Sequence, residues 1–486
     1  MMNYRNLREL YEQNFMHFID KVAILNETGA EITYNELHKK VKEVSNSFMK
    51  YKEDTVLIKV KELTLNIVFM LAAWYSNKKV ILINVSSKIN LCDNYPLFNN
   101  SLMITDVNKD IFLNNEVNDS KNSINLGVRP EFALLVPTSG TTGISKFVEV
   151  QAEQIEYVLR LTEINYKTKR LNKNQATDLV SAPLTSTPML FCLALFSLSR
   201  GWRLILNNDY TNPLKLINII SNNNINFFGT TPTLMQYLLL NNQFVKHIEN
   251  IEIYILGGEI VSGKLLNQLK CITSNSKFIS AYGLSETLHP ITGDIDSTDS
   301  VNKILKGFEC RIEDGLNTKY GEIVIRGKSI SKYYYDLNNN RKPILNDGWL
   351  YTGDIGYIDN NNIYIMGRRK NIIIVAGKNV QIEEVEQCIG SINGVLYVDV
   401  FLKKDKIHGE KVCANIVVNK KMNKREILDY CKLYLEGYKV PTEINFYRNV
   451  TVEVKGLGKK SKINNTDQAK EQKLLLFDEK DDLLYD

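Results

Sequence analysis

Through its first half the chain alternates short apolar runs of strand length with longer stretches of helical period, and this alternation restricts the possible folds more than any other feature. Strands are expected at Val22–Leu25, Ile32–Tyr34, Val56–Val60, Val80–Ile83, Phe132–Val136, Arg203–Leu206, Asn226–Gly229, Ile253–Leu256 and Phe278–Ser280. Helices are expected at Glu36–Met49, Leu63–Tyr75, Gln154–Glu163, Pro213–Ser221, Thr233–Asn241 and Gly263–Ile272. Two parallel strands need a crossover between them, usually a helix, so the pattern predicts α/β layers with mainly parallel sheets. In such sheets ligands sit at the carboxyl ends of the strands.

From about Ile312 the texture changes to hairpins: Gly321–Arg326, then Tyr357–Asn360 turning into Ile363–Met366. A polar, basic junction follows at Arg368-Arg369-Lys370-Asn371. Beyond it lies a separate α+β pattern, with strands at Ile372–Val375, Val395–Leu402 and Val412–Val418 and helices at Ile382–Ile389 and Lys424–Glu436. Charge supports a boundary here. Residues 403–462 hold 15 Lys/Arg against 7 Asp/Glu, whereas residues 463–486 hold 3 Lys against 7 Asp/Glu. The expected division is 1–369, 370–463 and an acidic, loosely ordered tail at 464–486.

Composition narrows the function classes. Lys+Arg 60 against Asp+Glu 55 lacks the concentrated basicity of a nucleic-acid binder, so no nucleic-acid partner is expected. The start, Met1 to Asp20, lacks a basic segment followed by an apolar one, which argues against a secretory signal. The apolar run Met189–Leu198 is too short for a bilayer, which needs about 20 residues, and reads as a core helix. Seven dispersed cysteines with no C-x-x-C pair suggest reduced thiols in the cytoplasm, and five isolated histidines form no metal motif.

The densest chemistry follows the apolar run Leu134-Leu135-Val136-Pro137. Thr138-Ser139-Gly140-Thr141-Thr142-Gly143-Ile144-Ser145-Lys146 is a loop of hydroxyls and glycines closed by a lysine. Glycines let backbone N–H groups turn toward an anion, hydroxyls add donors and Lys146 adds charge, so the loop suits a polyphosphate. Its spacing is not that of G-x-x-x-x-G-K-[ST]. Farther on come Tyr282-Gly283-Leu284-Ser285-Glu286, Gly257-Gly258-Glu259, Trp349-Leu350-Tyr351-Thr352-Gly353-Asp354, Gly367-Arg368-Arg369-Lys370 and Gly377-Lys378-Asn379-Val380. An aromatic ring stacks on a base, a carboxylate holds Mg²⁺ between phosphates, and two carboxylate oxygens accept two ribose hydroxyls at once. Read singly, several of these are ordinary turns or a basic hairpin edge.

Together, and in this order, the motifs resemble those of the adenylate-forming superfamily, which comprises acyl-CoA synthetases, peptide-synthetase adenylation domains and beetle luciferases. The likeness runs over approximately residues 15–463. It implies an α/β fold: a large N-terminal domain of α/β subdomains with mainly parallel sheets and a small barrel-like β region, plus a small mobile α+β C-terminal domain. It implies that Thr138, Ser139, Gly140, Thr141, Thr142, Gly143 and Lys146 wrap the phosphates of ATP. Gly257, Gly258 and Glu259 would border adenine, and Tyr282, Gly283 and Ser285 would contact the nucleotide. Glu286 would hold Mg²⁺, Asp354 and Arg368 would secure ribose or phosphate, Lys370 would be the hinge and Gly377 would line the thiol tunnel. The family ends in G-K-x-x-R. Here Lys455-Gly456-Leu457-Gly458-Lys459-Lys460-Ser461-Lys462 makes Lys459 the match for the adenylation lysine, with Lys462 in place of the usual arginine and with Lys455 and Lys460 as alternatives in a shifted register.

The implied catalytic set is Lys459, Thr142 and Glu286, and the implied activity is two-step. A small carboxylic acid is adenylated with release of pyrophosphate, then passed to a thiol. The acceptor is coenzyme A, or alternatively the phosphopantetheine of an acidic carrier protein. Y-G-x-[ST]-E and the lack of a following carrier sequence favour CoA, while Leu256-Gly257-Gly258-Glu259 leans to the carrier. Thr185, Ser186, Leu284 and His289 are candidates for the acid pocket, although a lone histidine is more often structural. In Ala182–Met189 neither a P-L-x-H histidine nor an ammonium-pairing aspartate is present, which disfavours an α-amino acid. A degenerate, non-catalytic nucleotide-binding protein is the rival from another class.

Overall fold

A computed structural model of the chain describes residues 11–12, 15–26, 28–87, 89–91, 95–113, 133–138, 146–166, 176–209, 212–239, 241–259, 261–273, 275–293, 302–313, 320–369, 372–375, 378–405, 409–418, 420, 422–447, 451–453 and 462–464. Among these, two seven-stranded sheets form the frame. The first runs Lys277–Ala281, Ile253–Gly257, Phe227–Thr230, Thr177–Val180, Arg203–Leu206, Val22–Leu25 and Glu31–Thr33, parallel up to its final hairpin. The second runs Arg341–Pro343, Tyr333–Tyr335, Phe147–Val150, Leu134–Pro137, Lys79–Leu82, Thr55–Lys59 and Ser101–Thr105. It is parallel from Leu134–Pro137 onward and antiparallel before it.

Local signals fix the elements. Helix Tyr34–Met49 starts with Thr33 and Glu36 capping each other: the Glu36 N–H donates to Thr33 Oγ1 at 3.2 Å and the Thr33 N–H to Glu36 Oε2 at 2.7 Å. Helix Leu63–Tyr75 is apolar on every side and buried along almost its whole length, as an inter-layer helix must be. The apolar stretch expected as a core helix is one, with a twist. Pro188–Leu195 is a π-helix continuing into α-helix Phe196–Ser199, and its side chains are buried from Met189 on. It lies against Gly229, where a Cβ would come within 2.7 Å of Leu193 Cδ1, so the missing side chain lets the helix pack close to the sheet.

The barrel-like β region is a six-stranded antiparallel sheet: Thr292–Gly293, Asn302–Ile304, Asn362–Arg368, Leu350–Asp359, Gly321–Gly327 and Phe308–Glu313. Among the described residues its two edge strands do not pair with each other, so it is not closed. One continuous core joins both large sheets to this unit. The C-terminal segment has a core of its own, from Val375 to Ile444, between helices Ile382–Gly390 and Lys424–Tyr434 and a sheet of Val395–Asp405, Gly409–Val418 and Glu443–Tyr447. It touches the rest through Tyr237, which packs with Leu396, Tyr397, Val417 and Tyr447, and through Lys264 Nζ, which donates to the Ile392 carbonyl at 3.3 Å.

Candidate functional site

The Thr-Gly-Asp motif works as a bulge. Along Leu350–Asp359 the pairing with Gly321–Gly327 jumps from Val324↔Tyr351 to Glu322↔Ile355, so Thr352, Gly353 and Asp354 together oppose one residue. Gly353 takes a left-handed φ of +73°, which a side chain rarely tolerates. Its N–H donates to Glu322 Oε1 at 2.8 Å, Thr352 Oγ1 donates to the Ile323 carbonyl at 2.7 Å, and the Asp354 N–H donates to Thr352 Oγ1 at 3.0 Å. A bulge of this kind re-aims a side chain. Here it turns Asp354 inward, leaving it 3% exposed.

Two other motifs meet that carboxylate. Tyr282, just beyond strand Lys277–Ala281, donates its hydroxyl to Asp354 Oδ2 at 2.7 Å. Arg368 stands opposite Asp354 in the sheet register, and its Nε lies 2.9 Å from Oδ1. Hydrogen bonds to a charged group contribute about 1.5–3 kcal/mol each, enough to offset much of the cost of burying a carboxylate. Burial still pushes the Asp354 carboxyl upward, with Arg368 and Tyr282 opposing the shift. Tyr282 is held in turn at its backbone: its N–H donates to Thr292 Oγ1 at 3.2 Å and its carbonyl accepts from the Ile291 N–H at 2.7 Å.

The second carboxylate joins the phosphate-type loop through a residue that the sequence reading passed over. Strand Tyr333–Tyr335 pairs with Phe147–Val150, Tyr334 facing Val148. Side chains alternate along a strand, so Tyr334 points opposite to its neighbours. Its hydroxyl donates to Glu286 Oε1, and Lys146 Nζ lies 5.3 Å from its ring centroid. Burial raises the Tyr334 hydroxyl pKa, and the Glu286 charge raises it further, so the phenol keeps its proton as a donor. The strand itself is clamped by Arg341, whose Nε and Nη2 reach Glu149 at 2.8 and 2.9 Å while its guanidinium covers Tyr333 at 3.6 Å. At the loop's base the Thr138 N–H donates to the Lys146 carbonyl at 2.8 Å, closing the turn between paired strands Leu134–Pro137 and Phe147–Val150.

The remaining candidates divide. Gly257 ends strand Ile253–Gly257 where a Cβ would sit 3.0 Å from the Ala281 carbonyl oxygen, and Gly258 follows with φ +86°. The Glu259 carboxylate reaches the start of helix Pro232–Leu238, its Oε2 accepting from Thr233 N at 3.0 Å and Thr233 Oγ1 at 2.5 Å. Gly283, Leu284 and Ser285 enter the short 3₁₀ turn Ser285–Thr287, tied by Thr287 Oγ1, which accepts from the Leu284 N–H at 3.2 Å. Thr185 and Ser186 are half-buried just ahead of the π-helix. His289 takes the structural alternative: 1% exposed, its ring is set between Tyr166 and Phe308, and burial pushes it down to about 4. Ser139, Gly140, Thr141, Thr142, Gly143, Lys370, Gly377, Lys459 and the 465–486 part of the tail lie outside the described residues.

Sequence reasoning missed Tyr334, Glu322 and Thr292, which hold the site without belonging to its motifs. The Tyr333-Tyr334-Tyr335 run was the visible signal for the first. No group of His, Cys, Asp and Glu able to cage a metal ion occurs among the described residues.

Two large α/β sheets, a β unit and a small α+β unit make the architecture of adenylate-forming proteins. Residues 101–335 match the model of the AMP-binding enzyme family. The 2-succinylbenzoate–CoA ligase of Bacillus subtilis (strain 168) is 28% identical over 322 residues, covering 64% of this chain and 64% of that protein. The long-chain-fatty-acid–CoA ligase of the same organism is 27% identical over 338 residues, 66% of this chain and 59% of that protein. The chain thus spans somewhat less than two thirds of these relatives. The O-succinylbenzoate coenzyme A synthetase of Bacillus subtilis, solved with ATP and a magnesium ion, has a TM-score of 0.73 at 22% identity, covering 90% of this chain and 95% of that one. Residues 101–335 thus carry the match to the AMP-binding enzyme family, in a chain whose similar curated proteins are CoA ligases.

Proposed function

We propose that the chain is an AMP-forming acid–thiol ligase that uses ATP and Mg²⁺ to activate a small carboxylic acid and delivers it to coenzyme A. One observation carries the reading: Tyr282, from 72 residues away, and Arg368, from the paired strand, converge by hydrogen bond and ion pair on the buried Asp354 carboxylate. Such a carboxylate suits paired hydroxyls, because each oxygen keeps a second lone pair beyond those used by Tyr282 and Arg368. Ribose then sits on Asp354, adenine lies against Tyr282 and the Gly257–Glu259 backbone, and the phosphates run toward the 138–146 loop. Glu286 is the residue that would hold Mg²⁺, which when bound neutralises phosphate charge.

In the first step an oxygen of the substrate carboxylate attacks the α-phosphorus of ATP. The bond to the bridging oxygen breaks, and pyrophosphate leaves. Charge builds on non-bridging oxygens, so preorganised donors and cations supply most of the acceleration. Thr142 and Lys459 take those roles in our reading, with Lys146 at the loop's end. In the second step a thiolate attacks the acyl carbon, and AMP leaves as the thioester forms. Division at 369/370, rotation about Lys370 and passage of the thiol beside Gly377 complete the scheme.

CoA is favoured as acceptor by the CoA-ligase relatives. A carrier-protein phosphopantetheine stays open through the Leu256–Glu259 motif. We place the activity in the cytoplasm, where ATP and free thiols are available. Among the described residues no helix is long and apolar enough to cross a membrane. The test is acid-dependent ATP–pyrophosphate exchange across a broad panel of carboxylic acids, with active acids retested for transfer to CoA and to holo-carrier. Exchange with at least one acid supports the reading. An enzyme should lose exchange by orders of magnitude in Lys459→Ala while still binding ATP, whereas wild-type ATP binding without exchange for any acid favours the non-catalytic alternative.

A further inference from the structure

The C-terminal unit contains two cysteines that the ligase chemistry does not use. Cys388 lies near the end of helix Ile382–Gly390 and Cys431 in the middle of helix Lys424–Tyr434. The two helices pack on the same core, to which Cys431 belongs and against which Cys388 rests. Their crossing point is marked by a polar contact beside the thiols. Ser391 Oγ lies 3.0 Å from the Tyr430 hydroxyl and donates to the Cys388 carbonyl at 2.7 Å, so the residues flanking both cysteines already touch. Helices Ile382–Gly390 and Lys424–Tyr434 pack directly against each other.

We propose that Cys388 and Cys431 form a reversible dithiol–disulfide site that staples these two helices. The chemistry is asymmetric. Cys388 is half-buried and reachable, whereas Cys431 is fully buried. The neighbouring Cys431 lowers the Cys388 thiol pKa while Cys388 raises that of Cys431, which makes Cys388 the entry nucleophile and Cys431 the resolving thiol. With a small disulfide as oxidant, the Cys388 thiolate attacks one of its sulfurs. The S–S bond of the reagent breaks, one small thiolate leaves and a mixed disulfide remains on Cys388. Cys431 then gives up its proton and attacks the Cys388 sulfur, expelling the second small thiolate. Two protein thiols are oxidised by two electrons and one small disulfide is reduced to two thiols. The other described cysteines serve as internal comparisons: Cys271 is exposed, Cys310 is half-buried, and Cys192 and Cys413 are buried.

The experiment treats the full-length reduced protein with oxidised glutathione, then alkylates the remaining thiols and maps them by peptide mass spectrometry. The expected wild-type product is a Cys388–Cys431 peptide pair lighter by two hydrogens, restored by dithiothreitol. It should form before Cys271 reacts and raise the melting temperature, because the link closes a chain loop of about 40 residues. Cys431→Ser, and Cys431→Ala as a second variant, should instead trap a stable glutathione adduct on Cys388, each variant first shown to melt cooperatively. Cys388→Ser should leave Cys431 unmodified. An unlinked pair in wild type while Cys271 is glutathionylated, or a wild-type Cys388 adduct that never resolves onto Cys431, would overturn the proposal.

Discussion

The corner around Asp354 and the seam where the C-terminal unit meets the rest of the chain are built on opposite plans. At Asp354 every oxygen has a partner supplied by the fold: Tyr282 and Arg368 on the carboxylate, Thr352 and Glu322 on the bulge, Thr292 behind Tyr282. At the seam beside Gly367, away from the apolar Tyr237 contact, the neighbours are side-chain tips. A Cβ on Gly367 would meet Gln381 Oε1 at 2.5 Å and Glu383 Oε2 at 2.6 Å, both ends of flexible chains. The difference separates what the fold holds fixed from what it leaves adjustable. A buried polar network specifies one geometry, since half-satisfied it is worse than none, whereas a seam of long polar side chains reorganises at small cost.

Four substitutions press on this contrast, in falling order of effect. Gly356→Ala lies within the rigid β unit, where the added Cβ would sit on the Tyr364 carbonyl oxygen and 2.9 Å from Ile323 Cδ1. It should cost about 3 kcal/mol or more of stability in a denaturant melt, because backbone cannot step aside. Asp354→Asn should lower the rate of ATP–pyrophosphate exchange about 10- to 100-fold, corresponding to the loss of one charge-assisted contact or more. A rate within twofold of wild type would remove Asp354 from the site. Tyr334→Phe deletes the donor to Glu286 and should cost roughly tenfold, read mainly as a weaker Mg²⁺ dependence. Gly367→Ala, at the seam, should cost about 1 kcal/mol, from the strain of a side chain at φ +157° rather than from the flexible ends in its way. A loss as large as that of Gly356→Ala would show the seam to be as rigid as the corner.

A pH experiment separates the core from both regions. Asp178 is fully buried in strand Thr177–Val180, its Oδ2 accepts from Ser197 Oγ at 2.6 Å, and burial pushes it up to about 8. The folded form therefore holds a proton that the unfolded chain releases near pH 4, so wild-type stability falls as pH rises from about 4 to 8. Asp178→Asn keeps the contact and cannot ionise. Its advantage over wild type should grow across that window and then level off, and a difference that does not change with pH would contradict the assignment. His289, pushed down to about 4, acts at the other end: its neutral burial favours folding above about pH 6.5 and loses that benefit as pH falls toward 4.

Periodicity made much of the frame legible. Leu63–Tyr75, Arg203–Leu206, Gly263–Ile272 and Ile372–Val375 fall where the pattern puts them, because each carries its own apolar run or stripe. Strand Thr177–Val180 was invisible, since Asp178 interrupts the run and only the surrounding core explains a buried acid. Tyr333–Tyr335 was missed for a different reason. It exists by pairing with Phe147–Val150, nearly two hundred residues away, which no local window contains. The motifs named the residues around Asp354 correctly as neighbours in a list. That Thr352-Gly353-Asp354 is a bulge held by Glu322, and that Tyr334 holds Glu286, needed the sheet register.

The most direct measurement is a crystal structure of the chain soaked with ATP and Mg²⁺. The account predicts ribose hydroxyls on Asp354, the adenine ring against Tyr282, and the phosphates between the 138–146 loop and Glu286. A nucleotide bound elsewhere, with the Tyr282–Asp354–Arg368 cluster unchanged and empty, would contradict it.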